Sequence, residues 1–286
     1  MTDPPALSVV VVAYGSPELL ELCLEALGSG LPVLVIDNSS RADVHDVVAK
    51  HGHRYADAGS NLGFAAGVNR ALGELGPAHG DVLLLNPDAQ VTSQVARALQ
   101  HRMRAAGRER VACVSPRLTR GDGSTERVEW PFPTPWRAWL EAVGLGRLRR
   151  EPGFLIGAVL LLRSEAIDEI GPFDERFFLY AEETDWQRRA SNAGYSVLAC
   201  NELIATHTGA GTSTNIDRRE AMFHAASERY IRRWFGTTGW WIWRTGAIVG
   251  AAVRCVTGPD RDRQRLRLVA YLRGPERFER ATGRPT

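Results

Sequence analysis

Lysine is almost absent from this chain. Of 35 basic residues only Lys50 is a lysine; the rest are arginines, which we read as the codon usage of a GC-rich genome and not as mechanism. Cysteine is also scarce. Cys23, Cys113, Cys200 and Cys255 lie far apart with no CxxC pair, which leaves no basis for a zinc knuckle or disulfide framework and points to a reducing cytoplasm. Net charge is small, +2 from 35 basic and 33 acidic residues, so the basic excess of a general nucleic-acid binder is missing. The N-terminal MTDPPALSVVVVAYG has no basic stretch and two prolines before its apolar run, a poor signal peptide. The apolar stretch GWWIWRTGAIVGAAVRCV is interrupted by Arg244 and Arg254, too soon to span a bilayer, which takes about 20 apolar residues. Neither GxGxxG nor GxxxxGK[ST] occurs, and NLGFAAGVN resembles a phosphate loop only loosely. Hydride transfer and P-loop chemistry thus lose their main support.

What is present is an ordinary globular composition, 44% apolar and 24% charged over 286 residues, enough for one large α/β domain with or without an appendage. SVVVVAY, LPVLVIDNSS and DVLLLNPDA are the β-branched and leucine-rich runs of buried parallel strands. They alternate with helical patterns: PELLELCLEAL, RADVHDVVAKHG and VTSQVARALQHRMRAAG. The alternation runs from residue 8 to about 120 and predicts a doubly wound, mostly parallel sheet. It breaks in GDGSTERVEWPFPTPWRAWLEAVG, a turn-rich segment with a short helix. GFLIGAVLLL reads as one strand containing Gly157, TDWQRRASNAG as a helix, YSVLACNELIATH as a strand, and REAMFHAASERYIRRWFG as a helix. We place a domain boundary at 236, with a Trp- and Arg-rich extension over 237–286. Two readings stand for that extension: an interfacial helix with tryptophans at headgroup level, or a core-packing or dimerising helix.

Tyr14, Asp37, Asn61 and Asp88 each follow a strand, the edge at which open α/β sheets hold nucleotides. Any one of them alone would read as a helix cap; four at one edge favour a ligand site. Asp88 with Asn86 gives two oxygen donors suited to Mg²⁺ or Mn²⁺, and His207, followed by a Gly-Ala-Gly-Thr-Ser loop, offers an imidazole. Glu182, Glu183 and Asp185 crowd three carboxylates into FFLYAEETDWQRRA. Such neighbours raise one another's pKa, and they also match the dipole of a helix start.

In order along the chain, VVVVAYGS, VIDNSS, NLGFAAGVNRAL, LLLNPDA, GAVLLLRSEA, FDERFFLYAEETDW and THTGAGTS resemble family 2 glycosyltransferases, most of all the rhamnosyltransferase branch that uses dTDP-activated sugars. The likeness extends over residues 8 to 236. It implies a GT-A fold, a nucleotide-sugar donor, a divalent cation (Mg²⁺ or Mn²⁺) and inversion at the anomeric centre. By the same resemblance, Ala13, Tyr14 and Asp37 hold nucleobase and ribose, and Asn61, Gly63 and Asn69 complete the nucleotide pocket. Asn86 and Asp88 form the metal element, written NPD here where two acids are common. Gly157 faces the donor sugar, His207 reaches metal or diphosphate, Glu183 is the general base with Asp185 in reserve, and Glu182 orients it or binds hydroxyls. A dTDP-sugar is the favoured donor, although Asp37 accepts the N3–H of uracil or thymine alike. The implied acceptor is a polyprenyl-diphosphate-linked glycan, reached from the cytoplasm or peripherally at the inner face of the membrane, with a soluble natural product as the alternative. A nucleotide-sugar binder without turnover is the rival reading. A nucleotidyltransferase ranks last, because AYGSPELL lacks its basic, glycine-rich loop. Oligomeric state has no signature.

Overall fold

A computed structural model describes residues 5–146, 153–209, 216–258 and 260–283. Its elements are β1 (Leu7–Ala13), α1 (Pro17–Leu27), β2 (Val33–Asp37), α2 (Ala42–Lys50), β3 (Arg54–Asp57), α3 (Phe64–Leu75), β4 (Asp81–Leu85), β5 (Ala89–Gln90) and α4 (Ser93–Met103). There follow β6 (Val111–Thr119), β7 (Thr125–Glu126), β8 (Glu129–Pro131), α5 (Arg137–Ala142), β9 (Gly153–Leu155), β10 (Val159–Leu162) and α6 (Ser164–Ile170). The chain ends with α7 (Glu182–Asn192), β11 (Ser196–His207), α8 (Ile216–Thr257), α9 (Arg261–Arg273) and α10 (Pro275–Thr282). Two compact units result: residues 1–130, 153–178 and 182–212, and residues 131–152, 179–181 and 213–286. The boundary expected at 236 coincides with a break inside α8, where Gly236 has φ 63°. The units themselves divide at 212, and the second also draws in residues from the middle of the chain.

The first unit is built on a sheet ordered β3-β2-β1-β4-β10-β6-β11-β5, with β7 added alongside β6. β3, β2, β1 and β4 run parallel; β10 enters antiparallel to both β4 and β6. Every residue of β1 is buried because helices cover both faces. Val9, Val11 and Ala13 point into one core with Leu20 and Leu24 of α1 and Val44 and Val48 of α2. Val10 and Val12 point into the other with Ala65 and Val68 of α3 and Trp186 of α7. The period-2 geometry of a strand thus explains why the run is apolar throughout. The stretch expected as one strand around Gly157 is two, β9 and β10, with Gly157 in the connection between them.

α7 is anchored firmly. Trp186 is fully buried, stacks on Phe173 with centroids 5.7 Å apart and donates Nε1–H to the Gly171 carbonyl at 3.0 Å. Truncating a side chain of this kind costs about 3–5 kcal/mol. The next residue, the buried Gln187, bridges the backbone of Leu155 with its amide, accepting from its N–H at 2.8 Å and donating to its carbonyl at 2.7 Å.

The second unit packs α5, α9 and α10 on α8. A Cβ on Gly246 would come within 2.9 Å of the Trp139 backbone nitrogen, and one on Gly250 within 3.3 Å of the Ala142 Cα, so glycines let the two helices close up. Trp139 donates to the Ile242 carbonyl at 2.9 Å, and Arg244 donates to those of Tyr271 and Leu272 at 2.8 and 3.0 Å. Trp240 and Trp243 are buried, whereas Trp241 is 52% exposed. The extension is therefore core-packing on one face and apolar but open on another. No helix among the described residues is long and apolar enough to cross a membrane.

Candidate active site

Parallel pairing of β1 with β2 sets Ala13 beside Asp37, and pairing with β4 brings the NPD segment to the same edge. The Ala13 side chain is buried in the core and its carbonyl accepts from Asn38 N–H at 2.8 Å, so only its backbone belongs to the edge. Tyr14 beyond it is exposed. Gly15 and Ser16 then both take left-handed φ, 63° and 53°, turning the chain off the sheet into α1.

Asp37 is fully buried, and both its oxygens are engaged. Oδ1 accepts from the Ser39 N–H and hydroxyl at 2.8 and 2.5 Å. Oδ2 accepts from Arg41 N–H and the Tyr55 hydroxyl, both at 3.0 Å. Burial, with the Asp37 hydrogen bond and charge, pushes the Tyr55 phenol up to about 12. Asp37 is therefore the hub of the β2–α2 loop, and a base N–H would have to share an oxygen that already holds two donors.

Asn61 Oδ1 accepts from Gly63 N–H at 3.1 Å. Gly63 has φ +81°, and a Cβ there would lie 2.4 Å from the Phe178 carbonyl oxygen, so only glycine fits. That same carbonyl accepts from Phe64 N–H at 2.8 Å, tying the 61–64 loop to the segment leading into the acidic motif. Asn69 is engaged within the chain. Its Nδ2 donates to the Phe173 carbonyl and to Glu175 at 2.9 and 2.8 Å, while its Oδ1 accepts from Phe173 N–H at 2.8 Å. The amide holds residues 173–175 and has no donor left for a nucleotide.

The Asn86 N–H bonds to the Ala158 carbonyl at 2.9 Å, which sets Gly157 opposite the NPD turn. Sheet register brings Asp88 and His207 together: His207 pairs with Ala89 in the β11–β5 ladder, and Thr208 N–H donates to the Asp88 carbonyl at 3.0 Å. His207 Nε2 lies 3.5 Å from Asp88 Oδ1, and its Nδ1 lies 2.8 Å from Glu126 Oε2. Burial alone would lower the His207 pKa, but the bonds to Asp88 and Glu126 outweigh it and leave it raised. Among the described residues no group of three or more His, Cys, Asp or Glu side chains is arranged to hold a metal ion. Asp88 with His207 fits the other kind of site, in which one or two protein ligands are completed by substrate phosphate oxygens. The loop after Gly209, expected to approach phosphate, lies outside the described residues.

The acidic motif follows two consecutive left-handed residues without glycine, Tyr180 (φ 69°) and Ala181 (φ 66°), a conformation that costs about 1–3 kcal/mol per residue and clusters at functional sites. Its three carboxylates then part company. Asp185 is fully buried and pairs with Arg189 one turn on, at 3.1 Å. Glu183 lies against Gly157, where an added Cβ would sit 3.7 Å from its Cγ. Glu182 Oε2 and Glu183 Oε2 are buried with no hydrogen-bond partner among the described residues. Burial, reinforced by the Glu183 charge, pushes Glu182 well above the carboxylate range, and burial raises Glu183 from 4.5 to about 7. Both carboxyls are thus pushed towards the protonated form, and a buried carboxyl raised in this way is suited to taking a proton from a hydroxyl. Glu126 and Tyr55 escaped sequence analysis, because neither falls in a motif and each reaches its partner only through strand pairing.

The chain is similar to proteins of known activity. The Glycosyl transferase family 2 profile matches residues 8–171. N-acetylglucosaminyl-diphospho-decaprenol L-rhamnosyltransferase of Mycobacterium tuberculosis is 30% identical over 275 residues, covering 84% of this chain and 87% of that protein. The low-salt glycan biosynthesis hexosyltransferase Agl10 of Haloferax volcanii is 24% identical, over 79% of this chain and 74% of that protein. Among solved structures, a Pyrobaculum calidifontis mannosyltransferase in complex with GDP-Man and Mn²⁺ superposes with a TM-score of 0.59 at 13% identity, covering 95% and 88% of the two chains. Glucosyl-3-phosphoglycerate synthase of M. tuberculosis, with Mn²⁺, UDP and phosphoglyceric acid, gives 0.55 at 19% identity over 80% and 78%. These structures share their fold, GT-A, with this chain. The chain belongs to glycosyl transferase family 2 and is a glycosyltransferase.

Proposed function

We propose that this glycosyltransferase moves a deoxysugar, L-rhamnose foremost, from a dTDP-sugar to a hydroxyl of a polyprenyl-diphosphate-linked glycan, inverting the anomeric centre. Glu183 supports the reading most: a carboxylate with a buried oxygen that has no partner among the described residues, beside Gly157, raised to about 7 by burial. An acceptor hydroxyl attacks C1 as its proton passes to Glu183. The C1–O bond to the diphosphate breaks on the opposite face, and the nucleoside diphosphate leaves. Asp185 is the weaker choice, being committed to Arg189. Asp88 and His207 would hold Mn²⁺ or Mg²⁺ together with diphosphate oxygens; when bound, the cation supplies charge stabilisation to the leaving group. The acceptor class and the sugar rest on likeness to the mycobacterial L-rhamnosyltransferase.

A lipid-linked acceptor calls for contact with a membrane surface, and α8 offers a face for it. Trp241, Val249, Val253 and Val256 are exposed at helical spacing over about 22 Å of helix. Residues 229–259 carry five arginines and no acid, the charge pattern of a helix lying on anionic lipid. Sedimentation should show binding to phosphatidylglycerol vesicles, weaker binding to phosphatidylcholine, and loss of both in Trp241→Ala.

The donor assignment is tested by thermal shift with dTDP, UDP and GDP, each with Mn²⁺, Mg²⁺ or chelator. A ligand confined to the native state stabilises it by RT ln(1 + [L]/Kd). The reading requires a metal-dependent rise, larger with dTDP than with UDP. A larger rise with UDP would replace the donor, and no rise with any nucleotide would remove the site.

A further inference from the structure

We propose that Glu126 is a positioning residue that orients the His207 ring for a divalent cation, an inference that rests on reading Asp88 and His207 as the cation site. Glu126 lies on β7, a two-residue strand antiparallel to the end of β6. β11 runs parallel to β6 on its other side and carries His207 just past the Thr206–Thr119 pair. The carboxylate and the imidazole thus meet across the end of β6, 2.8 Å apart.

The chemistry of that contact assigns the ring. A carboxylate only accepts, so Nδ1 carries the hydrogen and donates it to Glu126 Oε2. A ring that ligates a cation is neutral, so when the cation replaces the Nε2 proton the lone pair is on Nε2, which faces Asp88 Oδ1 at 3.5 Å. Two such atoms, on side chains that are nearly buried, would supply two of the roughly six positions around an octahedral cation, leaving the others to diphosphate oxygens and water. The other Glu126 oxygen lies 3.6 Å from Arg120, which steadies the carboxylate without occupying Oε2. A carboxylate behind a ligating histidine sets its tautomer and ring orientation, and loss of such a partner lowers metal affinity about 10–100-fold.

The test reads Mn²⁺ affinity directly, from the free-ion electron paramagnetic resonance signal, with dTDP or UDP at saturation. Wild type, Glu126→Gln, Glu126→Ala, His207→Ala and the double alanine variant are compared. Glu126→Ala should weaken Mn²⁺ about 10–100-fold. Glu126→Gln, whose amide oxygen still accepts from Nδ1–H, should lie between it and wild type. In the His207→Ala background the Glu126→Ala effect should vanish, since Glu126 acts only through the ring. Circular dichroism melting without metal shows that each variant folds, and Glu126→Gln carries the test if the alanine variant does not. Unchanged affinity in folded Glu126 variants, or a loss that persists undiminished without His207, overturns the proposal while leaving the cation site standing. Wild type that binds no Mn²⁺ with either nucleotide overturns the cation site itself.

Discussion

Glu183→Gln should make the protein inactive and more stable at once. The substitution keeps the side chain's size and removes its charge. Glu183 is raised from 4.5 to about 7 because its carboxyl is buried, with Oε2 lacking a partner among the described residues. By linkage, a change of that size corresponds to about 3 kcal/mol of cost for carrying the charge in the folded state. The sign follows from the direction. Below 4.5 the group is protonated whether folded or not, and its contribution to stability is full. Between 4.5 and 7 the folded protein keeps a proton that the unfolded chain releases, so stability falls as pH rises. Above 7 the full cost is present. A glutamine amide has unmet hydrogen bonds of its own, which trims the gain to about 1–3 kcal/mol. At roughly 2 cal/mol/K per residue, that is a rise in Tm of about 2–5 °C at pH 8 and almost none at pH 4. Turnover should fall by about 10²–10⁴, the contribution of a general base. Wild-type kcat/KM should drop about tenfold per pH unit below 7 and level off above it. Scanning calorimetry at the two pH values and a nucleotide-release assay read both effects. A variant no more stable than wild type at pH 8, or one that keeps most of its turnover, would refute the reasoning.

Asp185→Ala should cost about 3–5 kcal/mol in urea unfolding, because it strands Arg189 beside a buried site, yet leave turnover per folded molecule within a few fold. Gly157→Ala meets Glu183 only at ordinary contact distance, so Tm should hold while KM for the donor rises; a large loss of Tm would contradict the packing. Gly63→Ala must accommodate both a left-handed φ and a clash with the Phe178 carbonyl, and should lose 2 kcal/mol or more by the same unfolding assay. Chelator should abolish transfer, and Mn²⁺ should restore it better than Mg²⁺, since an imidazole suits Mn²⁺ better than it suits the harder ion; equal rates in Mg²⁺ would argue against His207 as a ligand.

Much of the sheet was legible in the sequence because a strand covered on both faces must be apolar at every position, as SVVVVAY and DVLLL are. Gly157 misled for the same reason: GFLIGAVLLL is apolar throughout, and nothing in its periodicity marks the turn that separates β9 from β10. The strand-edge acids were legible as residues but not as partners. Asp37 accepts four intrachain hydrogen bonds and the Asn69 amide is clamped on residues 173–175, contacts that no motif announces. Adjacency likewise joined Glu182, Glu183 and Asp185, whereas helical geometry gives them different neighbours, with Asp185 turned to Arg189. Glu126 had no signal at all, since its contact with His207 spans 81 positions and exists only because β7 and β11 both pair with β6.

The most direct test of the central claim is transfer itself. The protein is incubated with Mn²⁺, a short polyprenyl-diphosphate-linked N-acetylglucosamine and dTDP-L-rhamnose, with UDP- and GDP-sugars in parallel, and the lipid product is followed by mass spectrometry and its anomeric proton by NMR. One deoxyhexose should be added to the lipid from the dTDP donor, with the anomeric configuration inverted. Retention of configuration, or no transfer from any nucleotide sugar by a protein that binds the nucleotides, would contradict it.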